Sequence, residues 1–259
     1  MAVPIHKTGL WKTLGQKSSA IVSTNLIGNF VPSLGIASSS WTNQAASNAL
    51  RRYNGITYNS SSPQNFQFDG TDDYLGEASS GYGGTAFKFR PRDAYTVGQW
   101  VYLPSTWSSG NKHLMFMIYS TDSHLTYAYI EGQTMKMETK YGYGTYGPSS
   151  IGSAVNLINN KDKWLYHTIS HDGSGLYTYY INGSFIDSVD ASNVPGGPAS
   201  PFYVGYKRTF GSSWYTSANV KVGHIHVHGS ELNSSQIRQN YLAIASPVNT
   251  RLYGETALG

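Results

Sequence analysis

The chain predicts an all-β fold, a two-sheet antiparallel β-sandwich, and three observations carry that expectation. Short alternating apolar segments recur along most of its 259 residues, separated by Gly, Asn, Asp and Pro. Tyr and Gly are abundant, at 21 and 28 residues, while only 12% of the chain is charged, a balance that suits strands and turns better than helices. The run Asn65-Phe66-Gln67-Phe68-Asp69-Gly70-Thr71-Asp72-Asp73-Tyr74-Leu75 alternates, turns at Asp-Gly and resumes as a second apolar pair, which is the pattern of strand, turn and strand.

Taken in order, residues 1–24 lack alternation and are dotted with Gly, Ser, Thr and Lys, including Lys7, Lys12 and Lys17. They are expected to form an extended arm, lying either on a partner surface or along its own sandwich. The domain proper is expected over 25–246 and a tail over 247–259. Its strands are expected at 64–69, 95–103, 113–119, 125–131, 134–140, 164–171, 175–182, 202–206 and 220–228, with no repeat of fixed period. One short helix follows. Asn233 is its N-cap, Gln236 the capping-box partner, and Leu232 with Ile237 a hydrophobic staple; Ile237, Tyr241, Leu242 and Ala245 form its apolar face, and Pro247 stops it.

Cysteine is absent, which excludes disulfides, thiolate metal sites and cysteine nucleophiles. No apolar core of leader length stands at the amino end and no run approaches membrane-spanning length, so the chain is expected to be soluble and unprocessed, with no membrane partner. The net charge of +4 comes from scattered Lys and Arg rather than a clustered stripe, and nucleic acid is not an expected partner.

Four landmarks occur in order between residues of about 25 and 245. They are Asn54-Gly55-Ile56-Thr57-Tyr58 with Phe66-Gln67-Phe68-Asp69-Gly70-Thr71-Asp72-Asp73-Tyr74; Tyr95-Thr96-Val97-Gly98-Gln99-Trp100-Val101; Trp164 to Ile169 with His171-Asp172-Gly173-Ser174-Gly175 and Tyr179-Tyr180-Ile181-Asn182-Gly183; and Val222 to Val227 with Glu231 to Ile237 and Asn240-Tyr241. Together they resemble the laminin-G-like, concanavalin A-type jelly rolls. The leading Trp41-Thr42-Asn43 and the late Asn-Tyr helix are similar to domains of tailed-phage virion proteins. That resemblance implies a non-enzymatic virion structural protein, such as a capsid decoration protein bound through its arm and sandwich faces. Its partners would then be other virion proteins, and homo-oligomers such as trimers would suit a shell's local symmetry. The alternative it implies is a glycan-binding module on a tail fibre or a secreted bacterial protein, with a cell-surface glycan as partner.

Related jelly rolls include glycoside hydrolases, whose chemistry needs two carboxylates at fixed separation on one strand face. The segment from Glu131 to Glu138 lacks a Glu-x-Asp-x-x-Glu pattern and only five Glu occur in the chain, so no catalytic residues are expected. Asp72 and Asp73 are adjacent and would point opposite ways, shaping a polar edge. Asp69, Asp72, Asp172 and Asn182 are oxygen donors that could serve calcium, but without the spacing of a dedicated loop. His224, His226 and His228 share one strand face. They read either as zinc ligands or, as we favour, as a solvent-facing polar row opposite buried Ile225 and Val227. No metal and no cofactor is expected. A Gly-x-Ser-x-Gly elbow is missing, and Gly142, Gly144 and Gly147 sit in a Tyr-rich run rather than between strand and helix, which excludes a phosphate cradle there.

That run supplies the candidate contact surface: Tyr141, Tyr143 and Tyr146 are flat rings with polar tips on a bendable Gly-rich loop. Phe210, Trp214 and Tyr215 form a similar group in a second Gly-Ser loop. The alternative for both is that the rings cover the ends of the sandwich.

Overall fold

The computed structural model describes residues 20–61, 63–77, 87, 90–121, 124–141, 144–151, 157–191, 201–205, 209–210, 213–214 and 219–245. Side chains are described in all of these except 119–121, 124–125, 140–141, 144–150, 209–210 and 213–214. Most of the arm expected over 1–24 and the whole tail over 247–259 therefore lie outside the described residues.

Eighteen strands, one α-helix and one short 3-10 helix (Leu157–Asn160) are described. The first half carries β1 (Leu26–Phe30), β2 (Ser40–Thr42), β3 (Ala49–Tyr53), β4 (Thr57–Asn59), β5 (Asn65–Gln67), β6 (Tyr74–Glu77), β7 (Tyr95–Leu103), β8 (Lys112–Thr121) and β9 (His124–Glu131). The second carries β10 (Thr134–Tyr141), β11 (Gly144–Ile151), β12 (Lys163–His171), β13 (Leu176–Ile181), β14 (Ser184–Asp190), β15 (Phe202–Val204), β16 (Thr209–Phe210), β17 (Ser213–Trp214), β18 (Lys221–His228) and helix α1 (Ser234–Ile244). Two antiparallel sheets result. One runs β14-β13-β12-β7-β18-β5-β4, with β1 pairing the remaining length of β18; the other runs β11-β10-β9-β8-β15-β6-β3-β2. The two-residue strands β16 and β17 pair only with each other.

Period-2 alternation builds the core between the sheets. In β7, Tyr95, Val97, Val101 and Leu103 point inward and are fully buried, and β12 contributes Leu165 and Ile169 in the same way. From the second sheet come Leu50, Leu75, Met115, Phe116, Ile118, Ala128, Ile130, Phe202 and Val204. The turns follow their residues: Asn182 and Gly183 both take positive φ, 51° and 74°, the paired left-handed conformation that a two-residue hairpin between β13 and β14 requires.

The first sheet is covered on its other side as well. Helix α1 opens with the expected capping box: Asn233 Oδ1 accepts from Gln236 N, and Gln236 Oε1 accepts from Asn233 N. Its buried face is Ile237, Asn240 and Ile244, whereas Leu242, expected on that face, is 38% exposed; Ile244 takes its place because the helix meets the sheet along an i, i+3, i+7 line. Thr96 ties the layer down, its hydroxyl donating to Ser230 O and accepting from Leu232 N. Residues 20–24 run beside the helix, where Val22 N donates to Asn240 Oδ1 and Gln239 Nε2 donates to Ala20 O.

This cover overturns the expectation of a solvent-facing histidine row. His226 and His228 are fully buried and His224 is 6% exposed. Instead of meeting water, His226 contacts the Tyr166 hydroxyl, His224 donates to Asn29 Oδ1, and His228 spans Thr24 O and Asn240 Nδ2. Burial lowers all three pKa values, that of His224 to about 3, so the rings are neutral.

Candidate ligand-binding face

The outward face of the second sheet is built by the same alternation that builds the core. Because Leu50, Leu75, Phe202, Ala128 and Ile130 turn inward, their neighbours Arg51 and Tyr53, Tyr74 and Gly76, Tyr203, and Tyr127 and Tyr129 turn outward. Strand register then lines these residues into two cross-sheet rows. One is Arg51, Gly76, Tyr203, Met117, Tyr127 and Glu138, each paired with the next. Beside it, Tyr53 pairs with Tyr74, and Leu114, Tyr129 and Lys136 continue across β8, β9 and β10.

The two ends of this face differ. Leu114, Met117, Tyr127 and Tyr129 are buried, at 2–4% exposure, in a cluster that Tyr203 borders. Toward β3, Tyr53, Tyr74 and Tyr203 are half-buried and Arg51 is exposed. Tyr53 and Tyr74 stack with centroids 4.3 Å apart and planes within 8°, and Tyr203 meets Tyr74 edge-on at 6.3 Å. Gly76 makes room for Tyr203: a Cβ there would stand 2.6 Å from its Cδ1. The result is an aromatic cluster with phenolic tips and one guanidinium, able to stack on a ring and to donate hydrogen bonds.

Of the residues expected from sequence, Tyr143 and Tyr215 lie outside the described residues, and for Tyr141, Tyr146 and Trp214 only the backbone is described. The Tyr-rich run proves not to be a loop. It forms the arms of the β10–β11 hairpin, with Tyr141 opposite Gly144 and Thr139 opposite Tyr146. Trp214 lies on β17, opposite Thr209. Tyr53, Tyr74 and Tyr203 were missed because they sit on three strands far apart in sequence; the available signal was alternation, which makes each an outward aromatic beside an inward aliphatic.

The acidic candidates separate. Asp172 accepts from the backbone N–H groups of Ser174, Gly175 and Leu176 and from the Ser174 hydroxyl; burial pushes its carboxyl up, but these bonds win and hold the pKa at about 2. Asn182 Oδ1 accepts from Tyr166 N. Both are committed to the backbone, and neither joins Asp69 and Asp72, which cluster instead with Asp73. Glu131 is paired with Lys112 and Lys136. Burial raises its pKa, yet the two ammonium groups outweigh that and keep it low.

Comparison with known proteins agrees with this architecture. A family model described as the concanavalin A-like lectin/glucanases superfamily, of laminin-G type, matches residues 69–238. No curated protein matches the sequence. Among solved structures, the binding domain of botulinum neurotoxin serotype D/C superposes with a TM-score of 0.64 at 13% identity, over 84% of this chain and 52% of that one. The binding domain of botulinum neurotoxin DC in complex with SialylT gives 0.62 at 14%, over 84% and 52%. A structure of botulinum neurotoxin type C, whose cell entry depends on interaction with two ganglioside molecules, gives 0.62 at 14%, over 84% and 51%. The chain thus spans about half the length of these structures. With its two antiparallel sheets, its single short carboxyl-terminal helix and a family match over most of its length, the chain belongs to the concanavalin A-like lectin/glucanase superfamily.

Proposed function

We propose that the chain is a non-catalytic glycan-binding module whose docking surface is the cluster of Arg51, Tyr53, Tyr74 and Tyr203. The contrast between the two outer faces carries this reading: α1 and residues 20–24 cover the first sheet, while the second presents half-buried tyrosines beside an exposed arginine. A pyranose ring offers C–H groups to an aromatic and hydroxyls to phenolic tips and guanidinium donors. Neurotoxin structures that share the fold, one a binding domain in complex with SialylT and one of a toxin whose cell entry depends on two ganglioside molecules, support a glycan as the ligand class. The commitment of Glu131 and Asp172 to structural partners supports a binding rather than a hydrolytic role. As setting we propose a tail fibre or a secreted bacterial protein. The virion setting and capsid decoration have the sequence resemblance as their support.

A glycan array followed by titration calorimetry tests this. The expected result is saturable binding that weakens about tenfold in Tyr53→Ala or Tyr74→Ala, since a stacked aromatic contributes about 0.5–1.5 kcal/mol beyond its buried area. Binding untouched by both variants and lost in Tyr143→Ala would move the site to the Tyr-rich run of 140–148.

A further inference from the structure

We infer that the sugar taken by the tyrosine face is an acidic one, a glycan bearing a carboxylate, and that Arg51 is the residue that selects it. This rests on the glycan reading of the same surface and names its ligand class. Arg51 is exposed on the outer face of the second sheet, and among the described residues its guanidinium has no hydrogen bond, ion pair or ring contact. The next residue shows the contrast. Arg52 points to the opposite side of β3, where it donates to Ala37 O and Ile56 O and lies 5.4 Å from the centre of the Phe66 ring. One arginine of the pair holds the fold together; the other keeps all its donors for something outside it.

Register sets what surrounds Arg51. It stands opposite Ser40 of β2 on one side and Gly76 of β6 on the other, with Tyr203 beyond Gly76 and Tyr53 two residues along its own strand. Gly76 raises no side chain between Arg51 and Tyr203, and the Tyr203 ring lies over it, since a Cβ there would meet Cδ1 and Cε1 at 2.6 and 2.8 Å. These neighbours carry hydroxyls and no charge. Glu77, the acid in the adjoining register, is buried on the inner face opposite Leu50, with its Oε1 accepting from Phe87 N. A planar fork of donors beside aromatic rings matches a carboxylate through two parallel hydrogen bonds, which a sugar hydroxyl cannot reproduce.

The charge on this face also has a direction. Asp69, Asp72 and Asp73 lie at the far end of the Tyr53–Tyr74 stack, where Asn54 Nδ2 joins the two turns by donating to Asp72 O. Three strand residues separate Arg51 from Asn54, about 10 Å, which is about one Debye length at physiological salt. An acidic sugar is therefore attracted at the Arg51 end and repelled at the other. Its carboxylate belongs on Arg51 and its uncharged ring on Tyr53 and Tyr74.

Titration calorimetry on the full chain with matched oligosaccharides is the test, one ending in glucuronic acid and one in sialic acid, each against its own methyl ester. The expected result is that an acid form binds about tenfold more tightly than its ester, because charge-assisted hydrogen bonds are about twice as strong as neutral ones. That margin should narrow as salt is raised, and the acid that shows it identifies the sugar. Arg51→Gln should bring acid and ester to within about twofold of each other, while Arg51→Lys, which keeps the charge and loses the fork, should restore part of the gap. Saturable binding in which the wild type treats acid and ester alike, or in which Arg51→Gln keeps the preference, overturns this inference and leaves the glycan reading standing. Binding of no sugar, neutral or acidic, by the folded chain overturns both.

Discussion

Asn240 joins three parts of the molecule through one side chain. Its Oδ1 accepts from Val22 N and its Nδ2 donates to His228 Nε2, so His228 carries its proton on Nδ1 and gives it to Thr24 O. Asn240→Ala would strand two buried groups and should lower stability by about 1–3 kcal/mol for the amide and more for the ring, measured by urea unfolding. Asn240→Asp should be worse, because it cannot donate to the neutral imidazole. Gly98 is a second such point: a Cβ there would lie 2.6 Å from the Tyr166 hydroxyl and closer still to the His226 ring, both fixed under the helix. Gly98→Ala is expected to destabilise by about 1–3 kcal/mol through overpacking, whereas Gly110→Ala, with nothing within 4 Å among the described residues, should be neutral in the same assay.

At the scale of elements, α1 acts as the lid of the first sheet rather than as an appendage. Asn233→Ala removes the capping acceptor and should cost about 1 kcal/mol, read as a lower Tm. The helix was legible in the sequence because its signals are local: cap, box and staple fall within six residues of Leu232. Long strands were legible for the same reason. The expected 95–103 matches β7, and 134–140 falls one residue short of β10. Strands β1 to β4, β11, β14, β16 and β17 were not identified, since most span only two to five residues and take their identity from partners elsewhere in the chain. The histidine row shows the limit of alternation: period 2 placed His224, His226 and His228 on the face opposite Ile225 and Val227 correctly, but could not reveal that a helix 234–244 would return to cover it. The tyrosine cluster failed to be read for a related reason, since register between β3, β6 and β15 is a tertiary fact.

Across the whole molecule, neutral buried histidines set the response to acid. His113 and His167, facing the core, are held at about pKa 3 by burial, and His171, His226 and His228 are lowered as well. The folded state therefore binds fewer protons than the unfolded chain below about pH 6.5, the ordinary histidine value. Their full contribution is present above that pH and is lost as pH falls toward 3, at up to about 1.4 kcal/mol per pH unit for each ring that stays neutral. Asp172, lowered to about 2, adds loss in the same direction at the acid end, while the raised Asp73 opposes it weakly. Thermal melts should thus show a steep fall in Tm between pH 6.5 and 4 and little change from pH 7 to 8. A flat profile across the acid range would mean that the rings are protonated in the folded state.

The central proposal is that a sugar docks at the β3, β6 and β15 end of the second sheet, where Tyr53, Tyr74 and Tyr203 are half-buried and Arg51 is exposed, and not on the face of the first sheet that packs against α1. Ring-labelled tyrosine NMR, titrated with the glycan that binds best on an array, reads that claim residue by residue. Shifts confined to Tyr53, Tyr74 and Tyr203 are the expected result. Shifts confined to Tyr102, Tyr166, Tyr180 and Tyr241 of the covered face, or none in the presence of saturable binding, would contradict it.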